Sequence, residues 1–405
     1  MNIAIIGGGA SGLCLARLLN TTNHQVDLYE KNNIFGKKLL ITGKGRCNVL
    51  NHTTPEIFLE KVKRGKDFFK STIFSYSPEH IYQYFVRNGL ELKIERGNRV
   101  FPVSDKSSDV VDFFVSSLKK TKIYLNEKVK EIHPDLTLIT DKQKKKYDYI
   151  VVSTGGLTYP KTGSTGDGYK FANKLGIKIL KPKGTLIPVI TKEDVSSLEG
   201  ISLKNVEVKA MKNGKIILKD FGEMLFTKNG LSGPLIISMS SCLLNENEYI
   251  ICIDLKPSLD IPTLEKRILR DFNERKNQNI SNGIRGLIID RLSNYILERS
   301  KINLDKKVNL ITKEERKTLI QNIKTLTFSF KEYECDDQGI ITAGGVDTRE
   351  LYPTFESKKI QNLYFIGEVV NIDALTGGYN LQIAFSSAFK AYDDIMKKTA
   401  RGVKC

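Results

Sequence analysis

The chain of 405 residues contains no tryptophan and only four histidines, and its six cysteines show no C-x-x-C spacing. This scarcity argues against a zinc ribbon, a dithiol redox centre and metal chemistry in general. No apolar run approaches the roughly 18 residues of a transmembrane helix. Met1 leads directly into a strand-like run without a basic segment, so we expect no signal peptide and predict a cytoplasmic location.

Acidic residues are outnumbered by basic ones: the chain has 46 aspartates and glutamates and 63 lysines and arginines, which gives a net charge of +17. A surface this basic favours phosphate-rich partners through counterion release. A lysine-rich proteome is the alternative, because asparagine and isoleucine are abundant too. On charge alone, both interpretations of the basic surface stay open.

What the chain does contain is a β-α-β pattern at its start. Residues 2–6 are an apolar run typical of a buried parallel strand, residues 11–20 are helix formers, and Gln25–Glu30 reads as a second strand. Between the first strand and the helix lies a G-x-G-x-x-G motif formed by three glycines: Gly7, Gly9 and Gly12.

Each glycine of this motif has a physical role in dinucleotide binding. The first permits a tight turn, the second lets the backbone approach a pyrophosphate, and the third lets the helix pack against the strand. Glu30 closes the second strand, where its carboxylate can accept hydrogen bonds from ribose hydroxyls. The start of the chain therefore predicts a dinucleotide-binding domain.

A second glycine-rich strand end lies near the C-terminus. Residues 363–366 read as a strand followed by Gly367 and Glu368, and residues 376–382 open a helix with two glycines. This arrangement suits a long cofactor, with the ribityl chain at the strand end and the isoalloxazine at the helix N-terminus. A merely buried strand and helix is the alternative. We expect FAD as the cofactor.

The middle of the chain has a different character. Asn213-Gly214 between two strand-like runs predicts a hairpin, residues 262–325 look helical, and Thr312 with Glu315 fits a capping box. The predicted fold class is α/β: a Rossmann-type FAD-binding domain built from both chain ends, with an inserted β-rich domain and a helical segment. The predicted boundaries are 1–187 and 336–405 for the cofactor domain and 188–335 for the insert, which we expect to face the substrate.

Several longer motifs accompany these features. They occupy residues 36–48, 99–102, 154–156, 159–169, 230–234, 342–346 and 376–382. In these stretches the chain resembles the BaiN/RdsA (YhiN-like) family of flavoproteins over essentially its whole length. Where that family often reads Asp-x-Asp-Gly, this chain reads Asn-Ile-Asp-Ala, which leaves Asp373 as the single carried-over acid.

The resemblance implies FAD, NAD(P)H as the electron source, and reduction of a C=C bond conjugated to a carbonyl. Two substrate classes are associated with the family: bile-acid-type enones, and uridine in large-subunit ribosomal RNA, which becomes dihydrouridine. No second G-x-G-x-x-G occurs in the chain, so we expect NAD(P)H to bind transiently against the flavin.

The motifs and the resemblance together predict the cofactor-binding residues. These are Gly7, Gly9, Ala10, Ser11, Gly12, Glu30, Lys31, Lys38, Thr42, Gly43, Lys44, Gly45, Arg46, Cys47, Asn48, Val129, Thr154, Gly155, Gly156, Gly367, Glu368, Asp373, Gly377, Gly378, Tyr379, Asn380 and Leu381. Residues 42–48 and 376–382 are expected to cover the flavin ring together.

Four of these residues are also catalytic candidates. Lys44 and Arg46 would supply positive charge to the reduced flavin or to an enolate, with pyrophosphate binding or plain surface charge as the alternative. Cys47 would donate a proton as an exposed thiol near cations, or else be a small buried hydrophobe. Tyr379, like Tyr159, is a further donor candidate whose ring would otherwise only pack.

For RNA, one basic segment is interleaved with aromatics that could stack on bases. Its cations are Lys61, Lys63, Arg64, Lys66 and Lys70, and its aromatics are Phe58, Phe68, Phe69, Phe74 and Tyr76. An amphipathic helix with a lysine-rich wet face is the alternative. The lysines at 142 and 144–146 predict a solvated hairpin turn.

The leading functional hypothesis is an NAD(P)H-dependent FAD reductase acting on uridine in ribosomal RNA. A small-molecule enone reductase, which should not need the net charge of +17, is one alternative. An RNA- or ribosome-binding factor with structural FAD is the other. The sequence does not decide between NADH and NADPH, nor does it fix the oligomeric state.

Overall fold

The computed structural model describes residues 1–402 and therefore not Cys405. The chain divides into two compact units, one formed by Met1–Thr185 together with the segment from Cys335 onward, the other by Leu186–Glu334.

The N-terminal segment of the first unit alternates strands and helices. Its strands are β1 (Asn2–Ile6), β2 (Gln25–Glu30), β3 (Leu50–Asn51), β4 (Val62–Arg64), β5 (Leu92–Glu95), β6 (Arg99–Pro102), β7 (Lys122–Leu125), β8 (Val129–Ile132), β9 (Thr137–Thr140), β10 (Lys144–Lys146), β11 (Tyr149–Val152) and β12 (Ile179–Thr185). Its helices are α1 (Ala10–Leu19), α2 (Lys37–Ile41), α3 (Pro55–Lys61), α4 (Lys66–Ser75), α5 (Pro78–Arg87), α6 (Ser107–Val115) and α7 (Asp167–Lys174).

The second unit contains β13 (Val189–Thr191), β14 (Ser202–Lys212), β15 (Lys215–Thr227), β16 (Gly230–Ser232), β17 (Ile250–Asp254) and β18 (Leu326–Tyr333). Its helices are α8 (Gly233–Leu243), α9 (Ile261–Glu274), α10 (Ile280–Gly283), α11 (Asp290–Arg299) and α12 (Lys313–Lys324). The chain then returns to the first unit with β19 (Ile341–Val346), β20 (Leu363–Phe365), β21 (Asp373–Ala374) and α13 (Tyr379–Gly402).

The first unit is organised around a five-stranded parallel sheet in the order β20-β11-β1-β2-β7. The C-terminal strand β20 pairs with β11 in the register Val151↔Tyr364. Ile3, Ile5 and Leu28 are fully buried, as expected for strands covered on both faces. Burying each such side chain contributes roughly 1.5–3 kcal/mol. The predicted Rossmann-type fold from both chain ends is confirmed.

The same unit contains three smaller antiparallel sheets. β3, β6 and β5 form one antiparallel sheet, β4 pairs with β21, and β12 pairs with β19. A further hairpin sheet, β8-β9-β10, holds Lys144–Lys146 on its outer strand. The hairpin predicted for that lysine run is therefore present.

The second unit contains a closed barrel in the order β13-β16-β15-β14-β17-β18. The predicted hairpin joins β14 to β15, and Asn213 and Gly214 have φ angles of 50° and 74°, which a two-residue turn of this kind requires. The Thr312–Glu315 capping box begins α12, with both reciprocal hydrogen bonds formed. The closure of the strands into a barrel was not predicted from the sequence.

The basic segment is not one helix, because β4 separates α3 from α4. Its aromatics mostly belong to the core: Phe58 and Phe69 are fully buried, Tyr76 is buried, and Phe68 packs edge-on against Phe355. Only Phe74 is well exposed, at 49%. The prediction that these rings form a base-stacking surface is wrong, because four of the five rings lie in the hydrophobic core or pack against it.

Candidate cofactor site

The first unit contains a cavity of about 370 Å³ at the carboxyl ends of its parallel strands. Both terminal segments of the unit line it. The predicted residues on its wall are Gly7, Gly9, Ala10, Ser11, Glu30, Lys31, Lys38, Thr42, Gly43, Asn48, Val129, Thr154, Gly155, Glu368, Gly377, Gly378, Asn380 and Leu381.

The glycine motif gives this cavity its floor. A Cβ atom on Gly7, whose φ is +105°, would lie 2.6 Å from the Ser153 carbonyl oxygen, and one on Gly12 would lie 2.0 Å from the Gly7 carbonyl oxygen. A Cβ on Gly9 would meet no described atom within 4 Å. Two glycines are thus required by backbone packing, whereas the middle one borders open space in the cavity.

Helix α1 begins directly behind this loop. Its first intrahelical bond runs from the Leu13 N–H to the Gly9 carbonyl, 2.9 Å away, and no side chain in residues 1–402 caps its N-terminus. The N–H groups of Ala10 and Ser11, both cavity-lining, therefore have their hydrogen-bonding capacity available. Such a terminus favours an anion such as a pyrophosphate.

Acidic and basic side chains lie together at the end of β2. Glu30 accepts a hydrogen bond from the Gly8 N–H at 2.9 Å and another from the Asn32 N–H at 2.8 Å. Lys31 forms an ion pair of 2.7 Å with Asp167. Burial raises the pKa of Asp167, but Lys31, Lys128 and Thr165 together outweigh it and hold the pKa below its ordinary value. The two backbone hydrogen bonds fix Glu30 on the cavity wall, where its carboxylate can also accept hydrogen bonds from hydroxyl groups.

A second polar network joins the two chain ends. Lys38 Nζ donates to both Glu368 carboxylate oxygens, at 2.9 and 2.8 Å, and to Thr158 Oγ1 at 2.7 Å. Glu368 also accepts from the backbone N–H and the hydroxyl of Thr342, each at 3.0 Å. The Thr158 hydroxyl also donates to Glu368, at 3.3 Å, so four partner groups hold Glu368 in one position beside the cavity.

The opposite part of the wall is formed by Thr42, Gly43, Asn48 and residues 376–378. Asn48 Oδ1 and Thr154 Oγ1 are buried atoms of wall residues that have no hydrogen-bond partner in the described chain. A free helix N-terminus, a fixed ribose-type acceptor and two unpartnered polar atoms fit a long dinucleotide such as FAD. The donor set matches the groups that FAD presents.

Part of the predicted 42–48 loop lies away from the cavity wall. Arg46 forms ion pairs with Glu95 and Asp105, and its guanidinium carbon lies 4.1 Å from the centre of the Phe101 ring. Lys44 and Gly45 are exposed, and the backbone of Lys44 has a φ of 58°. The prediction that Lys44 and Arg46 point charge at the flavin is contradicted, because Arg46 is paired with two carboxylates and neither residue lines the cavity.

Cys47 is fully buried, which contradicts its prediction as an exposed thiol. Burial raises the pKa of its thiol to about 12, although a hydrogen bond involving Thr42 opposes this rise. The thiol therefore stays neutral at physiological pH. Cys47 matches the alternative, a small buried hydrophobe.

Five other predicted residues do not line the cavity. Tyr379 packs against Phe58 with ring centres 5.3 Å apart, and burial raises the pKa of its hydroxyl. Asp373 is buried in an ion pair with Arg64 at 2.8 Å. The remaining three are glycines whose neighbours lie too close for a side chain: Gly12, Gly156 and Gly367. The tentative donor role of Tyr379 has no support in this position.

The sequence missed several wall residues. They are Asn32, Lys37, Glu127, Lys128, Thr162, Gly163, Ser164, Asp167, Ile341 and Thr376. The motif at 159–169 and the helix opening at 376–382 already contained five of these positions. Lys37 lies within the motif at 36–48, and Ile341 begins β19. Asn32, Glu127 and Lys128 come from loops after β2 and β7, whose approach to the cavity depends on the sheet order.

No cluster of three or more His, Cys, Asp or Glu able to hold a metal ion occurs in residues 1–402. Over the same range, no helix has the length and apolar character needed to cross a membrane.

The Rossmann-type sheet, the glycine loop and the Gly-Glu strand end define an FAD-dependent oxidoreductase. The chain belongs to the HI0933-like protein Rossmann domain family, whose match covers residues 1–393. The predicted family and cofactor class are confirmed.

Two curated relatives are similar over nearly the whole chain. A ribosomal RNA dihydrouridine synthase of Escherichia coli is 28% identical over 403 residues, 97% of this chain and 97% of that protein. A 3-dehydro-bile acid delta(4,6)-reductase of Clostridium scindens is 27% identical over 404 residues, 96% and 97% of the two chains.

Among solved structures, a 3-ketosteroid delta1-dehydrogenase from Sterolibacterium denitrificans has a TM-score of 0.51 at 11% identity, over 98% of this chain and 99% of that one. A 3-ketosteroid-delta4-(5alpha)-dehydrogenase from Rhodococcus jostii has a TM-score of 0.50 at 13% identity, over 96% and 95%. These likenesses concern the fold.

Proposed function

We propose that this protein reduces the conjugated C=C bond of uridine in large-subunit ribosomal RNA to give dihydrouridine, with electrons from NAD(P)H. The observation that carries the proposal is the full-length similarity to a ribosomal RNA dihydrouridine synthase. The net charge of +17 supports it, because a phosphate-rich substrate gains affinity from counterion release.

FAD is proposed to lie in the cavity of the first unit. The α1 N-terminus with Gly9 would hold its pyrophosphate, Glu30 its adenosine ribose, and Gly377 with Gly378 the ring end. Bound FAD supplies hydride transfer between a nicotinamide and an alkene conjugated to a carbonyl. The backbone N–H groups of the glycines can then stabilise negative charge that develops on the ring.

Lys38 replaces Lys44 and Arg46 as the proposed cation of the site. It lies on the cavity wall and is held by Glu368 and Thr158. Its three ammonium hydrogens are directed to Glu368 and Thr158, so Lys38 would contribute positive charge to the wall without donating to the cofactor. The proton that reaches the substrate carbon is proposed to come from water, since the buried Cys47 and Tyr379 lie off the cavity wall.

NAD(P)H is proposed to bind transiently, because the chain has a single G-x-G-x-x-G. We further propose that the protein acts in the cytoplasm, where ribosomal RNA is available. The role of the inserted segment 188–335 in facing the substrate stays a prediction.

Reduction of a small-molecule enone is the second candidate, favoured by the similarity to the bile acid reductase of Clostridium scindens. The third hypothesis, a binding factor with structural FAD, predicts no turnover. Steady-state NAD(P)H oxidation separates this third hypothesis from both enzymes.

The test of the proposed substrate is mass spectrometry of ribosomal RNA nucleosides from a strain that lacks the gene. We expect dihydrouridine to disappear from one position of the large-subunit RNA and to return with the wild-type gene. The matched control is the same strain carrying the Gly9→Leu gene, which should not restore it. An unchanged nucleoside profile would remove the RNA substrate and favour the enone reductase.

A further inference from the structure

We infer that RNA phosphates dock on a basic rim formed by Lys44, Lys63, Arg96 and Arg99, on both sides of the segment Thr376-Gly377-Gly378. This inference rests on the proposed RNA substrate and specifies where that substrate is held. Arg96 lies in the turn between β5 and β6, outside the sequence motifs, and Arg99 begins β6 and the motif at 99–102. All four cations are exposed.

The turn between β5 and β6 lies beside the cavity wall. The Asn51 side-chain amide donates to the Gly97 carbonyl at 3.0 Å and to the Gly377 carbonyl at 3.1 Å. One amide group therefore joins the middle of the Arg96–Arg99 turn to a wall residue. Gly377 is itself half-buried, so the turn borders the place where the cavity wall reaches the surface.

Lys63 approaches the same wall segment from another strand. It lies in β4, which pairs with β21 through Val62 and Ala374. The Leu375 N–H then donates to the Lys61 carbonyl at 3.1 Å, immediately before Thr376. Strand β4 therefore runs alongside the chain that leads into the cavity wall.

Lys44 completes the rim from the 42–48 loop. Arg46 anchors this loop through its ion pair with Glu95, and Glu95 is the residue directly before Arg96. The loop begins with Thr42 and Gly43, which lie on the cavity wall. Lys44 thus extends from a loop that contacts both the wall and the strand leading to the arginine turn.

The charges of the rim are available to a ligand. Among the side chains that the structure describes, no ion pair within 4.0 Å includes Lys44, Lys63, Arg96 or Arg99, whereas the neighbouring acids Glu95 and Asp105 are paired with Arg46 and Lys93. Arg99 uses only its Nε, on the Arg96 carbonyl. The rim therefore presents positive charge without a direct ion-pair partner where a reacting base would enter, although Lys63 also lies within electrostatic range of the buried Asp373.

A polynucleotide fits this surface better than an acidic protein does. Cations spaced around an opening can neutralise successive phosphates while one base enters the cavity. The guanidinium group of an arginine can also donate two parallel hydrogen bonds to the oxygens of one phosphate. A bile-acid-type enone offers a single carboxylate, which could use one of these cations but not four.

The experiment measures binding of the FAD-loaded protein to a fluorescein-labelled RNA hairpin with an unpaired uridine loop, by anisotropy over a salt series. The test variant is Arg96→Gln/Arg99→Gln. The control variant is Lys142→Gln/Lys144→Gln, which removes equal charge from exposed positions on the β9–β10 hairpin of the same unit. Flavin absorbance and circular dichroism confirm that each variant is folded, and single substitutions replace any double variant that is not.

We expect the arginine variant to lose about tenfold in affinity at low salt and its salt slope to fall by roughly 2, one for each phosphate contact. The control should stay within about twofold of the wild type. Equal losses of RNA affinity in both variants, or no loss in either, would contradict the proposal that the rim binds RNA. If polyglutamate displaced the labelled RNA as strongly as unlabelled RNA does, the proposal would also be contradicted, in favour of an acidic protein partner.

The outcomes separate the two proposals. If the wild type shows no salt-dependent affinity for RNA and forms no dihydrouridine, the proposed function fails and the rim fails with it. If the wild type forms dihydrouridine but the arginine variant binds RNA as the control does, only the rim is wrong.

Discussion

Lys38 and Glu368 are separated by 330 positions in the chain, yet the lysine Nζ lies 2.9 and 2.8 Å from the two carboxylate oxygens. Their side chains are 22% and 14% exposed. The pair therefore joins the two ends of the chain at the cavity wall, and it does so in a partly dehydrated environment.

We expect Lys38→Met to lower the free energy of unfolding by about 1–3 kcal/mol, because it leaves a largely buried carboxylate without its cation. The same change should weaken FAD binding, measured by titration of the apoprotein and flavin fluorescence. The double variant Lys38→Met/Glu368→Gln should recover part of the lost stability. Additive losses in that double-mutant cycle would show that the pair is not coupled.

Gly9→Leu tests the position of the pyrophosphate. The φ of Gly9 is −88° and no described atom lies near its Cβ position, so the substituted protein should fold. The leucine would fill the cavity, and the purified protein should lose its yellow colour. Gly222→Ala in strand β15, whose Cβ would have one contact at 3.8 Å, is the control that should keep its flavin. Full FAD occupancy in Gly9→Leu would contradict the proposal that this loop binds the FAD pyrophosphate.

Cys47 provides a test of the proton source. Because its thiol is buried with a pKa of about 12, Cys47→Ala should leave the rate of substrate-driven flavin reoxidation unchanged in rapid mixing. Iodoacetamide at mildly alkaline pH should label the exposed Cys242 and Cys335 long before Cys47. A stalled reoxidation step with normal flavin reduction in Cys47→Ala would restore the thiol as the donor.

Asp167 gives a pH-dependent prediction. Burial raises its folded-state pKa, but Lys31, Lys128 and Thr165 together outweigh burial, so the pKa is lowered on balance. Its stabilising contribution is therefore present at neutral pH and is lost as the pH falls through and below the ordinary carboxylate range near about 4. The difference in Tm between wild type and Asp167→Asn should shrink across that range. Glu248→Gln, at an exposed loop position, should show no such trend, and a difference that grows on acidification would contradict the account.

Local sequence signals predicted local structure well. The glycine motif, the Asn213-Gly214 turn and the Thr312–Glu315 capping box depend on a few neighbouring residues, whose steric and hydrogen-bonding requirements are visible in the sequence. The parallel strands were equally clear, because burial on both faces requires continuous apolar runs.

Features that depend on distant contacts were not visible. Barrel closure needs β13 to pair with β18 across more than a hundred residues, and no local pattern encodes that pairing. Arg46 looked like a free cation until the fold brought Glu95 and Asp105 to it. Cys47 looked reactive because its neighbours in sequence are basic, whereas in the fold it belongs to the hydrophobic core and is completely buried.

The most direct test of the central claim is reoxidation of the anaerobically reduced protein by its substrate. The NAD(P)H-reduced enzyme is mixed with a large-subunit ribosomal RNA fragment or with a steroid enone, flavin absorbance is followed, and the RNA is analysed by mass spectrometry. We predict rapid reoxidation by the RNA, a gain of two hydrogen atoms on one uridine, and little reaction with the enone. Rapid reoxidation by the enone with unmodified RNA would contradict the account.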